Sequence, residues 1–104
     1  MIDKSNIIPA ILERLENLPV GHYLDMRTYK RNRCLLLVKT DEEVFLVIEN
    51  GFFRERFENV PAKKLRKLLK TLLKREFPRS TKIRVYSMGI FEEESALKLE
   101  RKVL

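Results

Sequence analysis

The residues of this chain whose types and spacing favour chemistry are cations, and they are concentrated in the stretch from Pro61 to Glu76. Residues 61–75 contain seven basic side chains and no acidic one. Such a group acts electrostatically, because each phosphate that a lysine or arginine neutralises releases counterions and so favours binding at low salt. The candidate phosphate-binding residues in this stretch are Lys63, Lys64, Lys67, Lys70 and Lys74.

A second group of cations lies earlier in the chain and surrounds a tyrosine. Its candidate residues are Arg27, Lys30, Arg31 and Arg33, with Tyr29 among them. Tyrosine rings stack on unpaired bases while arginines pair with phosphates, a division that is typical of single-strand recognition. Tyr23 is a further candidate for stacking. The alternative is a basic hairpin tip that only keeps a sheet edge soluble.

Helical periodicity positions the first group of cations. At about 100° per residue, an apolar stripe runs along one side of the helix and four lysines line up on the opposite side. The stripe consists of Leu65, Leu68, Leu69, Leu72 and Leu73, and the opposing lysines are Lys63, Lys67, Lys70 and Lys74. We predict a helix from Pro61 to Glu76, capped by Asn59 and ended by Phe77-Pro78. Because the leucines must pack on a core, the lysines should face outward.

The basic side of this helix lowers the stability of the helix itself. Favourable i, i+4 pairs of Glu and Lys add about 0.2–0.5 kcal/mol each, and residues 61–75 contain none. Lys63 and Lys64 also lie in the first turn, where the helix dipole disfavours cations by about 0.3–1 kcal/mol. A pattern with this cost indicates a partner outside the helix.

The rest of the chain predicts a single α+β domain spanning residues 1–104. A first helix should begin after Ser5 or Asn6 and end at Leu18. Four strands should follow, then the basic helix and a fifth strand, in the order αββββαβ with a mainly antiparallel sheet. The predicted strands are His22–Tyr29, Cys34–Val38, Val44–Glu49, Phe52–Phe57 and Lys82–Met88. Residues 91–104 should form a weak helix or a loosely attached tail.

Two of these strands should lie at the centre of the sheet. Leu35–Val38 and Val44–Ile48 carry apolar side chains on both faces, as central strands do. Either the two helices therefore divide between the faces, or a second copy of the chain covers one of them. Asn50-Gly51 predicts a two-residue type I′ turn between the third and fourth strands.

Composition excludes several classes of protein. With Cys34 as the single cysteine, no intramolecular disulfide forms, and this indicates a reducing compartment. No apolar run reaches the roughly 20 residues of a membrane span, and the first residues lack the pattern of a signal peptide. We therefore predict a cytoplasmic protein that does not enter membranes.

Candidate catalytic residues are few. His22 is the single histidine, and both it and Cys34 are explained more simply as structural residues. The glycines lie too far apart to form a phosphate-binding loop. We therefore predict no enzymatic activity, no cofactor and no metal. The alternative is a metal-dependent hydrolase in which Asp25 joins Glu49 or Glu55 in a carboxylate cluster.

A short segment resembles a known family. The run Lys63-Lys64-x-x-Lys67, which opens a helix after an antiparallel meander, resembles the second helix of double-stranded-RNA-binding domains. The resemblance implies that these three lysines face phosphates across the major groove. The chain departs from the family in having a fourth strand before the helix and a fifth after it, and in lacking that family's histidine-containing loop.

These observations predict a small basic module that binds RNA or DNA electrostatically, with little sequence specificity. The competing prediction is a protein-interaction module that forms a homodimer or docks on an acidic partner.

Overall fold

The computed structural model describes residues 2–27, 34–51, 53–78 and 82–92. A short 3-10 turn, Lys4–Asn6, precedes the first helix. The two helices are α1 (Ile7–Glu16) and α2 (Ala62–Glu76). The strands are β1 (Ile2–Asp3), β2 (His22–Arg27), β3 (Cys34–Asp41), β4 (Val44–Asn50), β5 (Arg54–Pro61) and β6 (Lys82–Ile90).

The described strands form one antiparallel sheet in the order β1-β6-β2-β3-β4-β5. The predicted α+β class is therefore confirmed, as are the antiparallel sheet and its two helices. The five predicted strands all exist. The sixth, β1, is a two-residue strand that pairs with the beginning of β6, and it is too short to give a periodic signal in the sequence.

Both helices pack on the same face of the sheet, which we call the helix face. Its core joins Ile7, Ile11 and Leu15 of α1 to the leucine stripe of α2 and to inward-facing strand residues such as Leu24 and Leu37. Of the two predicted alternatives, division of the helices between the faces is therefore wrong, and cover of one face by a second copy of the chain stays a prediction. The central strands β3 and β4 are apolar on both sides, so periodicity along them does not indicate which face a helix will choose.

The opposite side of the sheet, the second face, has an apolar cluster of its own. It consists of Tyr23, Cys34, Leu36, Val38, Leu46 and Ile48, all buried, with Phe91 packed against them. The rings of Tyr23 and Phe91 meet edge to face, with their centroids 5.1 Å apart. The prediction that the central strands are apolar on both faces is thus confirmed.

A buried lysine ties α1 to the sheet. Lys39 reaches from β3 to the end of α1, and its Nζ donates to the carbonyl oxygens of Leu15 at 3.0 Å and Glu16 at 3.2 Å. These carbonyls lie at the C-terminal end of the helix, where the Leu15 carbonyl also accepts from the Leu18 N–H at 3.2 Å, and a cation at this end interacts favourably with the helix dipole. The ammonium therefore fixes the position of α1 on the helix face.

The hairpin between β4 and β5 forms, but not with the predicted two-residue turn. Asn50 pairs with Arg54, so three residues lie between the paired ends, and β5 begins at Arg54 rather than at Phe52. Phe52, within this connection, lies outside the described residues. The predicted C-terminal helix lies outside them as well, apart from Phe91 and Glu92.

Gly21, just before β2, forms backbone hydrogen bonds with β3 and with Phe91. Its backbone has a left-handed conformation that favours glycine. Its φ is +92°, its N–H donates to the Lys39 carbonyl at 2.7 Å, and its carbonyl accepts from the Phe91 N–H at 2.8 Å. No atom lies within 4 Å of the position that a Cβ would occupy. The cost of a side chain here is therefore a backbone cost and not a steric one.

We expect Gly21→Val to lower the free energy of unfolding by about 1–2 kcal/mol, because a β-branched residue resists positive φ. Gly21→Asn should lower it by less than half of that amount, since asparagine tolerates the left-handed region. Chemical denaturation of both variants measures the difference. Equal unfolding midpoints for Val, Asn and the parent would contradict this account of the position.

Candidate nucleic-acid interface

Helix α2 is flanked by Pro61 and Pro78, and its bounds, Ala62–Glu76, lie close to the predicted ones. Pro61 closes β5 in an extended conformation and occupies the position before the first turn, and the N–H of Ala62 donates to the Glu43 carbonyl at 2.9 Å. The prediction that Asn59 caps the helix is wrong. It lies within β5 with φ of +54°, beside an irregularity in the pairing of β4 with β5. The helix ends at Glu76, as predicted from Phe77-Pro78.

The leucine stripe of α2 faces the core, as predicted. Leu65, Leu69, Leu72 and Leu73 are buried, and Leu68 is half-buried against the same core. The basic side chains on the other side of the helix are all exposed, and we call them the basic face. Its members are Lys63, Lys64, Arg66, Lys67, Lys70 and Lys74.

Arg66 belongs to the basic face although it is absent from the sites predicted by sequence. Its position on the helix lies beside the row of four lysines, about 40° from Lys70 at the usual 100° per residue. A prediction centred on lysine alignment missed it, whereas counting every cation outside the leucine stripe would have found it.

Within the described part of the chain, no ion pair involves a member of the basic face. Three arginines outside the basic face do pair with carboxylates. Arg27 pairs with Asp25, Arg56 pairs with Glu58, and Arg75 pairs with two glutamates. Six cations thus lie together on the basic face, and the carboxylates that form ion pairs within the described chain pair with cations outside it.

Arg75 is the one cation of α2 that serves the fold. Its guanidinium donates two hydrogen bonds to the Glu49 carboxylate, lies 3.3 Å from a Glu55 oxygen, and covers the Phe53 ring at 4.3 Å from the centroid. The neighbouring Glu76 is buried, and its Oε2 accepts from the Phe53 N–H at 3.1 Å. This group, which we call the Arg75 clasp, ties the end of α2 to β4 and β5.

The clasp contains a carboxyl group with a perturbed pKa. Burial raises the pKa of Glu49 above its usual value, the hydrogen bond that its protonated carboxyl group donates to Glu76 and the negative charge of Glu76 raise it further, and Arg75 offsets part of the shift. The same contacts raise the pKa of Arg75, chiefly through its hydrogen bond with Glu49. The arginine therefore stays charged, and Glu49 is the carboxyl group of the clasp whose pKa is raised.

Of the second predicted group, the structure describes Arg27, which does not lie beside the basic face. Arg27 lies on the second face, where its side chain donates to both carboxylate oxygens of the buried Asp25 at 2.8–3.0 Å. The basic face lies on the outer surface of the helix layer, across the sheet. The other predicted members of the second group, Tyr29, Lys30, Arg31 and Arg33, lie outside the described residues.

Tyr23, Cys34 and His22, which the sequence also singled out, each contact other residues of the fold. Tyr23 is buried against Phe91, and burial raises the pKa of its hydroxyl group, so the prediction that it stacks on bases is wrong. Cys34 is buried in the cluster of the second face, as expected of a small hydrophobe. His22 is the first residue of β2, and its backbone N–H donates to the Pro19 carbonyl at 3.1 Å.

The hypothetical metal cluster does not form. Asp25 lies on the second face and pairs with Arg27, whereas Glu49 lies on the helix face in the Arg75 clasp. The sheet therefore separates the two carboxylates. Among the residues that the structure describes, no group of three His, Cys, Asp or Glu side chains is arranged to hold a metal ion.

Comparison with protein families, with curated proteins and with solved structures finds no match for this chain. Of the described helices, neither is long and apolar enough to cross a membrane.

The Arg75 clasp predicts a specific pH dependence of stability. An acid whose pKa is raised in the folded state stabilises the fold below its unfolded pKa, and this stabilisation is lost as the pH rises through the folded pKa. We therefore expect the parent to lose stability relative to Glu49→Gln as the pH rises above about 4.5. One proton sets the limit of this effect at about 1.4 kcal/mol per pH unit.

Urea denaturation of the parent and Glu49→Gln across a pH series measures this difference. Glu58→Gln is the matched control, since Glu58 is an exposed carboxylate on the neighbouring strand. A parent that gains stability over Glu49→Gln as the pH rises would show that Arg75 outweighs burial.

Proposed function

We propose that this protein is a small nucleic-acid-binding module that holds RNA or DNA by its phosphates, with little sequence specificity. The observation that carries the proposal is the basic face, with six exposed cations on one side of α2, none of them in an ion pair with a described residue. Like charges on one helix surface repel one another, and a polyanion relieves this repulsion when it binds.

The dimensions of the basic face suit a phosphate backbone. From Lys63 to Lys74 the row of four lysines runs for roughly 16 Å along the helix axis, at 1.5 Å per residue. A duplex carries one charge per about 1.7 Å of its axis, so several phosphates lie within reach of this row. The face carries no aromatic side chain, so it supports contact with phosphates rather than stacking on bases.

A role for the second group of cations is a separate part of the proposal. Tyr29 with Lys30, Arg31 and Arg33 would add a stacking site for unpaired bases. Arg27 is the member of this group whose surroundings are described, and its pairing with Asp25 reduces the charge that it offers to a phosphate.

The competing function is docking on an acidic protein, since a carboxylate surface would also neutralise the basic face. The two partners differ in the spacing of their charges. Phosphates repeat regularly along a strand, and each one that is contacted adds a fixed amount to the salt dependence of binding. A slope of log affinity against log salt that matches the number of contacted phosphates therefore favours nucleic acid over an acidic protein as the partner.

We expect the double substitution Lys67→Gln and Lys70→Gln to weaken binding similarly for every nucleic-acid sequence. The slope of log affinity against log salt should fall by about 0.7–0.9 for each phosphate contact that is lost. The fold should survive, because both side chains are exposed and glutamine is a good helix former. Fluorescence anisotropy with single- and double-stranded DNA and RNA across a salt series measures both quantities.

A matched control removes the same charge from elsewhere. Arg14→Gln with Lys82→Gln changes two exposed cations in α1 and β6, which lie outside α2 and, like the basic face, form no ion pair with a described residue. This control should leave the salt slope close to that of the parent. If the Lys67 and Lys70 variant binds as tightly as the parent with the same slope, the basic face does not hold nucleic acid.

A further inference from the structure

The basic face carries no aromatic side chain, but an exposed aromatic ring lies beside its C-terminal end. Among the described residues two aromatic side chains are exposed, Phe53 at 47% and Tyr86 at 41%. Phe53 directly precedes β5, whereas Tyr86 lies on β6, near the opposite end of the sheet. Of these two rings, Phe53 is the one that contacts α2, through Arg75.

The Arg75 clasp fixes this ring in position at two points. The guanidinium of Arg75 covers the ring at 4.3 Å from its centroid, and the Phe53 backbone N–H donates to Oε2 of the buried Glu76 at 3.1 Å. Arg75 is in turn held by Glu49 and Glu55. Both contacts come from the last two residues of α2, so the ring is held in place relative to the basic face. A ring that is already held loses little conformational freedom when a ligand binds to it.

Phe53 keeps an open aromatic surface although one of its faces is covered. Arg75 lies over one face of the ring, a favourable cation–π contact. Nearly half of the residue is still exposed, so the remaining surface is available to a second flat group. The bases of nucleic acids are such groups, because every base has a π-face that stacks on an aromatic side chain.

The charges around the ring suit a base better than a phosphate. Lys74 is the last cation of the basic face, and the next residue, Arg75, is paired with Glu49 and Glu55. At 100° per residue, Arg75 lies on the side of α2 that meets β4 and β5, away from the row of lysines. Carboxylates near Phe53 would repel a phosphate, whereas an uncharged base experiences no such repulsion. Phosphates thus fit the lysine row, and a base fits the ring at its end.

We propose that Phe53 stacks on an unpaired base of a single strand whose phosphates lie along the basic face. This inference rests on the proposed binding of nucleic acid and adds the form of the ligand to it. Phosphate contacts hold any nucleic acid, single-stranded or double-stranded. Within a duplex each base is already stacked and paired, so it offers no free face to the ring. Phe53 therefore gives the module a preference for unpaired nucleotides at the C-terminal end of α2.

Replacing the ring without removing a charge tests this preference. We expect Phe53→Leu to lower the affinity for oligodeoxythymidylate, whose bases are unpaired, by about fivefold or more. The affinity for a blunt duplex of the same length should stay within about twofold of the parent. The slope of log affinity against log salt should not change, because no phosphate contact is lost. Tyr86→Leu is the matched control, since it removes a ring of similar exposure far from α2, and it should bind both probes as the parent does.

A fluorescent ring at the same position reports stacking directly and keeps the aromatic contact with Arg75. The chain contains no tryptophan, so Phe53→Trp and Tyr86→Trp each carry a single indole. We expect oligodeoxythymidylate to quench the emission of Phe53→Trp, because the indole stacks on a base, and to leave Tyr86→Trp unchanged. Inorganic polyphosphate, which has charges but no bases, should quench neither variant. Circular dichroism with the unfolding midpoint checks that all variants fold.

The outcomes separate this inference from the proposed function. If Phe53→Leu binds oligodeoxythymidylate as tightly as the parent while the Lys67 and Lys70 variant binds it more weakly, the stacking site is overturned and the basic face still binds phosphates. Equal losses of affinity for the single strand and the duplex also overturn it, because the ring then acts only through the clasp. Equal quenching of Phe53→Trp and Tyr86→Trp overturns it as well. A parent that binds neither probe at low salt overturns both proposals.

Discussion

The position of the basic face depends on the packing of the leucine stripe. Leu65, Leu69 and Leu72 are each almost fully buried on the helix face, and burial of such a side chain is worth about 1.5–3 kcal/mol. Repulsion between neighbouring cations on a helix amounts to a few tenths of a kcal/mol per pair. Burial of the leucine stripe therefore outweighs the repulsion among the cations, and the helix packs in the orientation that the leucines require. The fold holds the cations outward together, at a modest cost in stability.

The cations of this chain divide into two kinds according to what surrounds them. Lys39, Arg27 and Arg75 each reach a defined acceptor, namely the carbonyls that end α1, the Asp25 carboxylate and the Glu49 carboxylate. Removing such a partner leaves a buried polar group unsatisfied, which is costly. The basic face has no comparable role in the described fold, and a basic surface with no structural task is the physical reason to look for a polyanionic partner.

Much of this fold could be predicted from local pattern, and the failures have physical causes. The bounds of α2 follow from prolines and the leucine period, which act within a few residues. The side of the sheet that α1 occupies depends on contacts far apart in sequence, and β3 and β4 are apolar on both faces. The pairing of Arg75 with Glu49 joins residues 26 positions apart, so a helical wheel assigns Arg75 to the cations and cannot reveal its carboxylate. Asn59 has the residue type of a helix cap, but pairing between β4 and β5 continues to Pro61 and places it in a strand.

The central claim is that polyanions bind where the leucine stripe directs the lysines. An NMR titration of the isotope-labelled protein with a short duplex at low salt tests it residue by residue. The account predicts that the largest amide shifts fall within Ala62–Glu76, at the exposed positions between Lys63 and Lys74, and that added salt reverses them. Shifts that concentrate on β6 or on the second face, or a spectrum that the duplex leaves unchanged at low salt, would contradict it.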